Sequence, residues 1–573
     1  MGRAPTGGSG IGGSFPGLRE MQEALSPQVR EIAAREFLRR QPALAQLAPE
    51  REASLEALRP GKKQFHGTKV PLSYFQASVV ASPCADKFGY MTPAAVRTAT
   101  KLPFNIGIQN LLGQLGTSMA VPGAGTNSQL PAGYTYFGQF VDHDITFDTS
   151  STLDAPTDAT TINNMRTPAL DLDALYGRGP ALDAYLYRFP NSGPPSAIKM
   201  QLGSNRASGP GGPAGQPGGS GPVGMQVLRT FDVPRVINPL DPNPAAPTLS
   251  TNTAIIGDPR NDENLIVSQL HHAMLKFHNG VVDMIVSTGP PPQLDVFTEA
   301  KRIVTYHYQF AVLHDFLEKI CGSAAVTAAL ALNVPIGSAF SMPVEFAVGA
   351  YRFGHSQIRE NYWVSASQTN ASLGQVFQFI RNPEIPVRSN WVVDMNAFFA
   401  TGIPVAVFNF AKKIDSALAP GLATLPNMQP PLAALAIRNL RRGLAMGLPS
   451  GQGVAGHFNL PPAQIMTPAM LTAGLPASNV AILNSNGGVL MQKTPLWYYC
   501  LREAAQMQQG ERLGPVGGRI VAETFVRMLK RDANSFLNAA GGFAPFLPTL
   551  PSTPVGKFTV ADIVHFAKVT IPS

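Results

Sequence analysis

The sequence predicts a mainly α fold: one large domain with long Gly/Pro-rich loops and little β structure. Three observations lead there. Apolar residues recur at helical spacing over 262–286, 295–320, 343–358, 431–446 and 516–540, whereas alternating β-branched runs are scarce and no repeat period is visible. The 573 residues are 44% hydrophobic with a mean hydropathy of +0.03, enough apolar material for a large core. The 54 glycines and 52 prolines have no collagen period, so they mark loops.

From the N-terminus, residues 1–17 read as a Gly/Ser-rich leader without the apolar core of a secretory signal. Localisation stays open between the cytoplasm and export by a non-classical route. A short amphipathic helix follows, with Ser26 at its N-cap and Pro27 in its first turn. Val29, Ile32, Ala33 and Phe37 share one face, and Arg30, Arg35, Arg39 and Arg40 the other. Residues 1–62 form this extension, and the main domain runs over 63–573. Within it, 203–247 is expected to be a mobile insertion. Its first part, GSNRASGPGGPAGQPGGSGPVG, has too little apolar area to offset the entropy of ordering, and NPLDPNPAAP follows.

Composition excludes several classes. No apolar run reaches transmembrane length. The three cysteines, Cys84, Cys321 and Cys500, match neither a zinc spacing nor a disulfide framework. The net charge of +8 comes without any Lys/Arg block interleaved with aromatics, so no nucleic-acid partner is expected. Serine- and cysteine-hydrolase motifs and phosphate-cradling glycine loops do not occur in usable context.

Five segments could bear chemistry. In Gly138-Gln139-Phe140-Val141-Asp142-His143-Asp144, placed on a helix, Gln139, Asp142 and His143 share a face and Asp144 points about a quarter turn away. The apolar, aromatic surroundings argue for burial, which is costly for idle polar groups. In Thr167-Pro168-Ala169-Leu170-Asp171-Leu172-Asp173, an extended loop would turn the Thr167 hydroxyl, the Ala169 carbonyl and both carboxylates to one side. These hard oxygen donors suit Ca²⁺, though an Asx-rich turn is the plainer reading. In Gly257-Asp258-Pro259-Arg260-Asn261-Asp262-Glu263-Asn264, Arg260 and Glu263 can lie side by side at the start of a helix. His271, His272 and His278 beyond it read as structural. Ala350-Tyr351-Arg352-Phe353-Gly354-His355 ends an apolar run on a single histidine, and Gly354 leaves room for something flat to approach. Arg438-Asn439-Leu440-Arg441-Arg442-Gly443 sets Asn439 and Arg442 three residues apart.

In their order and wording these five segments resemble the haem peroxidases of the animal peroxidase–cyclooxygenase superfamily, in a form that looks bacterial. The resemblance covers about residues 65–573. It implies an iron porphyrin derived from haem b, with His355 as the iron ligand, Asn439 as the hydrogen-bond partner of His355, and Arg352 and Arg442 near the haem. It further implies His143 as the distal base, Gln139 as its companion and Arg260 as the catalytic arginine. Asp142 and Glu263 match the carboxylates that family members ester-link to haem. Asn264 stands where some mammalian members carry a Met bonded to haem, so that third link is absent. Asp144, Thr167, Ala169, Asp171 and Asp173 match the family's calcium site; Asp173 is usually Ser in mammals, and the change adds a negative charge.

The implied activity is that of an oxidoreductase. It reduces hydrogen peroxide through a ferryl intermediate and oxidises halides, pseudohalides or small phenolic donors, a chemistry tied to oxidative stress. Two alternatives stand beside it. One is a fatty-acid dioxygenase of the same superfamily, whose radical Tyr lies three residues before the proximal His; here that position is Arg352 and Tyr351 lies four before. The other is a non-enzymatic haem-binding protein, against which the retained Gln139, His143 and Arg260 argue. The reducing substrate and the oligomeric state are not readable from the sequence.

Overall fold

A computed structural model of the chain describes residues 86–122, 125–148, 151–153, 155–204, 231–235, 254–378, 386–425 and 428–568. The expected leader and amphipathic helix at 1–62, and most of the 203–247 insertion, lie outside the described residues. All described residues fall in one compact unit. The unit is mainly α, as predicted. Its largest described sheet has only three short strands in the order β2-β1-β3: β1 (Asp86–Gly89), β2 (Asn163–Asn164) and β3 (Met342–Pro343). Among the described residues no single helix is long and apolar enough to cross a membrane.

Two helices build one wall of the interior. Helix α1 (Gly133–Ile145) is buried along almost its whole length, so it is apolar or aromatic on most faces, and its charged and amide side chains are confined to the cavity face and to Asp144. Its N-terminus lies so close to the 398–399 backbone that a Cβ on Gly133 would sit 2.5 Å from the Phe398 carbonyl oxygen. Helix α2 (Leu265–Ser287) packs against α1 and is capped by Asn264, whose side chain accepts from the Val267 N–H at 2.9 Å. The expected helix start at residue 262 is therefore displaced. The Asp258 side chain accepts from the Arg260 N–H and caps a separate 3-10 turn, Pro259–Asp262, with Pro259 in its first position.

The opposite wall differs from its periodicity. Residues 343–358 are not an α-helix: Glu345–Gly349 winds wide, then Ala350–Gln357 winds tight as a 3-10 helix. In the tighter winding residues three apart eclipse each other. Arg352 and His355 consequently share one face. Helix α3 (Leu435–Ala445) and helix α4 (Leu496–Met507) flank this segment, and the Trp497 indole N–H donates to the Arg352 carbonyl at 3.0 Å. Helix α5 (Pro515–Arg531) packs against both α4 and this segment, with Phe525 against Phe346 and Tyr351.

Candidate active site

A cleft of about 1020 Å³ lies between α1, the 3-10 segment and α3. Gln139, Asp142, His143, Glu263, Asn264, Tyr351, Arg352 and His355 all line it. Apart from Thr135 and Gln357, the rest of its wall is apolar or aromatic, and Gly354 opens onto it: a Cβ there would meet nothing within 4 Å.

On the α1 side, the spacing of Gln139, Asp142 and His143 does what a helix dictates, and all three line the cavity. His143 is buried, 1% exposed. Its Nδ1 lies 2.8 Å from Asn261 Oδ1 and its Nε2 3.7 Å from Glu263 Oε1. Burial and the nearby Arg260 lower its pKa to about 4, so the imidazole is neutral at pH 7. Glu263 is pushed the other way, to about 8, because burial outweighs Arg260. The pair is therefore neutral on both sides at pH 7 rather than an ion pair. Gln139 donates to Glu263 Oε1 and accepts from Asn264 at 3.1 Å, whereas Glu263 Oε2 is buried with no hydrogen-bond partner. Asp142 accepts from Thr146 at 2.8 Å and stands 3.6 Å from Arg352.

Arg260 does not line the cavity. It stands behind His143, where Nη2 donates to the His143 carbonyl at 2.8 Å and to Asp258 at 2.7 Å. Asp258 also pairs with Arg166, and Arg166 reaches Asp173 at 3.3 Å. Sequence reasoning missed this pair. Its only trace was the Asp-Pro cap and an arginine just before Thr167.

On the opposite side, His355 is held by Asn439, 2.7 Å from Nδ1. The group facing the ring is the Asn439 amide nitrogen rather than the expected oxygen. A 180° turn of the amide exchanges the two, and only the oxygen can accept from an Nδ1–H. Burial, with Arg352 and Arg438, lowers the His355 pKa to about 3. Arg442 pairs with Asp148 at 3.2 Å and does not line the cavity. Arg438, to which no role was assigned, sits one turn from both Leu435 and Arg442 on the same face of α3. Burial lowers its pKa to about 10, and Arg442 and Arg352 add to this.

Asp144 turns away from the cavity, as its position on α1 requires, toward Asp171 and Asp173. Carboxylate oxygens of the three lie within 4.8 Å of one another. The connecting turn is not the expected extended strand. Leu172 is left-handed (φ 59°) and Asp173 opens a short helix, so Asp171 and Asp173 are gathered by a tight bend rather than by alternation. The Thr167 hydroxyl lies 3.3 Å from Asp171 and 3.1 Å from Asp173, and Ala169 is in the same turn. Burial raises all three carboxyls; repulsion within the cluster adds to Asp144 and to Asp171, which reaches about 7, and Asp258 adds to Asp173.

Fold and cavity define a class, the mainly α proteins that enclose an apolar cavity with two neutral imidazoles in its walls. The animal haem peroxidase family model matches residues 224–540, and the chain belongs to that family. A peroxidase-like protein of Margaritifera margaritifera is 32% identical over 133 residues, 22% of this chain but only 16% of that protein's length. Peroxidase A of Dictyostelium discoideum shares the fold with a TM-score of 0.54 at 16% identity, over 86% of this chain and 93% of that one. A fatty acid alpha-dioxygenase of Oryza sativa does so at 0.52 and 13% identity, over 97% and 95%.

The family implies haem, and the cavity fits it. Its walls are apolar enough for a porphyrin disc, the neutral His355 imidazole could hold its iron, and two guanidiniums, Arg352 and Arg442, lie close enough to Arg438 to depress its pKa.

Proposed function

We propose that the chain is a peroxidase: it reduces hydrogen peroxide and oxidises halides, pseudohalides or small phenolic donors. The observation that carries this reading is a neutral His143 in the cavity wall, Nδ1 engaged by Asn261, with a second imidazole, His355, in the same cavity.

His355 would hold the haem iron and Asn439 would orient it, with Arg352 and Arg442 near the haem's carboxylates. Bound haem supplies the redox-active iron at which the peroxide O–O bond is reduced. His143 accepts at Nε2 the proton from one peroxide oxygen and returns it to the other, so that water leaves. Gln139, clamped between Glu263 and Asn264, orients the peroxide. Arg260 acts from behind, holding the His143 backbone and adding positive charge to the site. Asp142 and Glu263 would be the carboxylates ester-linked to the haem, a reading supported by Glu263 Oε2, which is buried without a hydrogen-bond partner to give up. Asp144, Thr167, Ala169, Asp171 and Asp173 would hold Ca²⁺, whose charge relieves three crowded carboxylates.

The test is an absorption spectrum before and after one equivalent of hydrogen peroxide, for wild type and H143A. The expected result is a haem spectrum in both and a rapid peroxide-driven change in wild type alone, slower by about 10²–10⁴-fold in the variant. Equal rates would favour a haem-binding protein without enzymatic activity. The second reading, a fatty-acid dioxygenase, is favoured by one feature: Tyr351 lines the cavity, its hydroxyl donating to the Gly138 carbonyl at 3.2 Å.

A further inference from the structure

Asn261 belongs to none of the roles above, yet it is fully buried, 0% exposed, between two histidines. Its side-chain oxygen lies 2.8 Å from His143 Nδ1 and its amide nitrogen 3.1 Å from His271 Nδ1. An amide oxygen can only accept, so the His143 Nδ1 must carry the proton. An amide nitrogen can only donate, so the His271 Nδ1 must be bare. A neutral imidazole has one N–H, and the second ring nitrogen of His143 is therefore an acceptor. Turning the amide over would require both histidines to exchange tautomers together. The backbone opposes movement as well: the Asn261 N–H is bonded to the Asp258 carbonyl at 3.0 Å within the 3-10 turn, and Arg260 grips the His143 carbonyl.

We propose that Asn261 is a positioning residue that holds His143 in the tautomer protonated at Nδ1, keeping Nε2 bare toward the cavity, with His271 Nδ1 accepting from the other end of the Asn261 amide. The inference rests on the reading of His143 as the base. His271, expected to be merely structural, thereby joins the site at one remove. Its own Nε2 is buried and has no partner among the described residues. It can shift its proton to Nδ1 without giving up a hydrogen bond, which makes an acidic replacement at 261 informative. In N261D the carboxylate accepts from His143 and, after that shift, from His271 too. In N261L nothing accepts from His143, and its proton divides between the two nitrogens.

The experiment compares wild type, N261L, N261D and H143L as holoproteins. It measures the bimolecular rate of the spectral change with hydrogen peroxide and the rate of cyanide binding; HCN must give up its proton to bind as cyanide, so the second rate reports the base without turnover. N261L is expected to slow both rates about tenfold or more with its resting haem spectrum unchanged, and N261D to stay near wild type. In wild type alone, ¹⁵N spectra of the histidine rings in the diamagnetic ferrous–CO form are expected to show His143 protonated at Nδ1; this measurement stands even if N261L does not fold. Protonation at Nε2 overturns the proposal. So does N261L at wild-type rates while H143L is slow, or N261D as slow as N261L. If H143L itself reacts and binds cyanide at wild-type rates, the assignment of His143 as the base falls first.

Discussion

The Arg260 guanidinium is bonded to the backbone carbonyl of His143 at 2.8 Å, and that bond ends a chain of charges that begins at the acidic cluster. Asp173 pairs with Arg166, Arg166 with Asp258, and Asp258 with Arg260, all of them partly or fully buried. The proposed calcium site is thus tied to the proposed base by two routes: directly along α1 through Asp144, and through these paired charges.

Calcium should therefore matter to stability and to the peroxide reaction. Chelation with EGTA is expected to lower the thermal midpoint and slow the reaction, and added Ca²⁺ to restore both. D171N and D173N should be insensitive to either treatment. A wild-type melting curve that moves with neither EGTA nor Ca²⁺ would remove the metal from the account.

After reaction with peroxide, acid–acetone extraction is expected to leave haem on the protein. D142N and E263Q should each lose one link, and the double variant should release all of the haem. Incomplete attachment before peroxide treatment is compatible with links that form during turnover. Clean release from treated wild type is not.

The choice between peroxidase and dioxygenase turns on Tyr351. With linoleate and oxygen but no peroxide, the peroxidase reading expects no oxygen uptake, and Y351F should keep peroxide-driven phenol oxidation. Uptake by wild type that Y351F abolishes would establish the alternative.

Stability should fall with pH for a reason remote from the cavity. Glu503 is fully buried on α4 beneath the start of α5, where the Val516 and Gly517 N–H groups donate to it at 3.0–3.1 Å. Burial raises its pKa from 4.5 to about 8 despite those bonds. Its folded pKa lies above its unfolded one, so the contribution is fully present below about pH 4.5 and is lost as pH rises through about 8. The loss is on the order of a few kcal/mol, at about 1.4 kcal/mol per unit. Urea titrations at pH 5 and pH 8.5 should show a smaller difference for E503Q than for wild type. Equal differences would contradict the assignment.

Much of the site was legible locally. Gln139, Asp142 and His143 could be placed on one face, with Asp144 off it, because a helix has a fixed angular step. The 3-10 winding of 350–357 was not legible, since apolar periodicity there looks α-helical and the winding depends on packing against α4 and α5. The bend at Leu172 was read as an extended loop because a non-glycine left-handed residue leaves no mark in composition. The position of Arg260 behind His143 rather than in the cavity wall depends on Asp258, two residues before it, and on Arg166, which reaches Asp258 from a distant segment.

By itself the sequence determined the mainly α class, the polar face of α1 and, through five segments in order, the family. These follow from periodicity and residue chemistry, which act over a few residues. Only the tertiary structure decided that His143 and His355 share a cavity, that Asn261 bridges two histidines, and that three aspartates from α1 and the following turn meet. Such meetings arise when buried faces of distant elements pack to exclude water, and no local period encodes which polar groups are carried into contact.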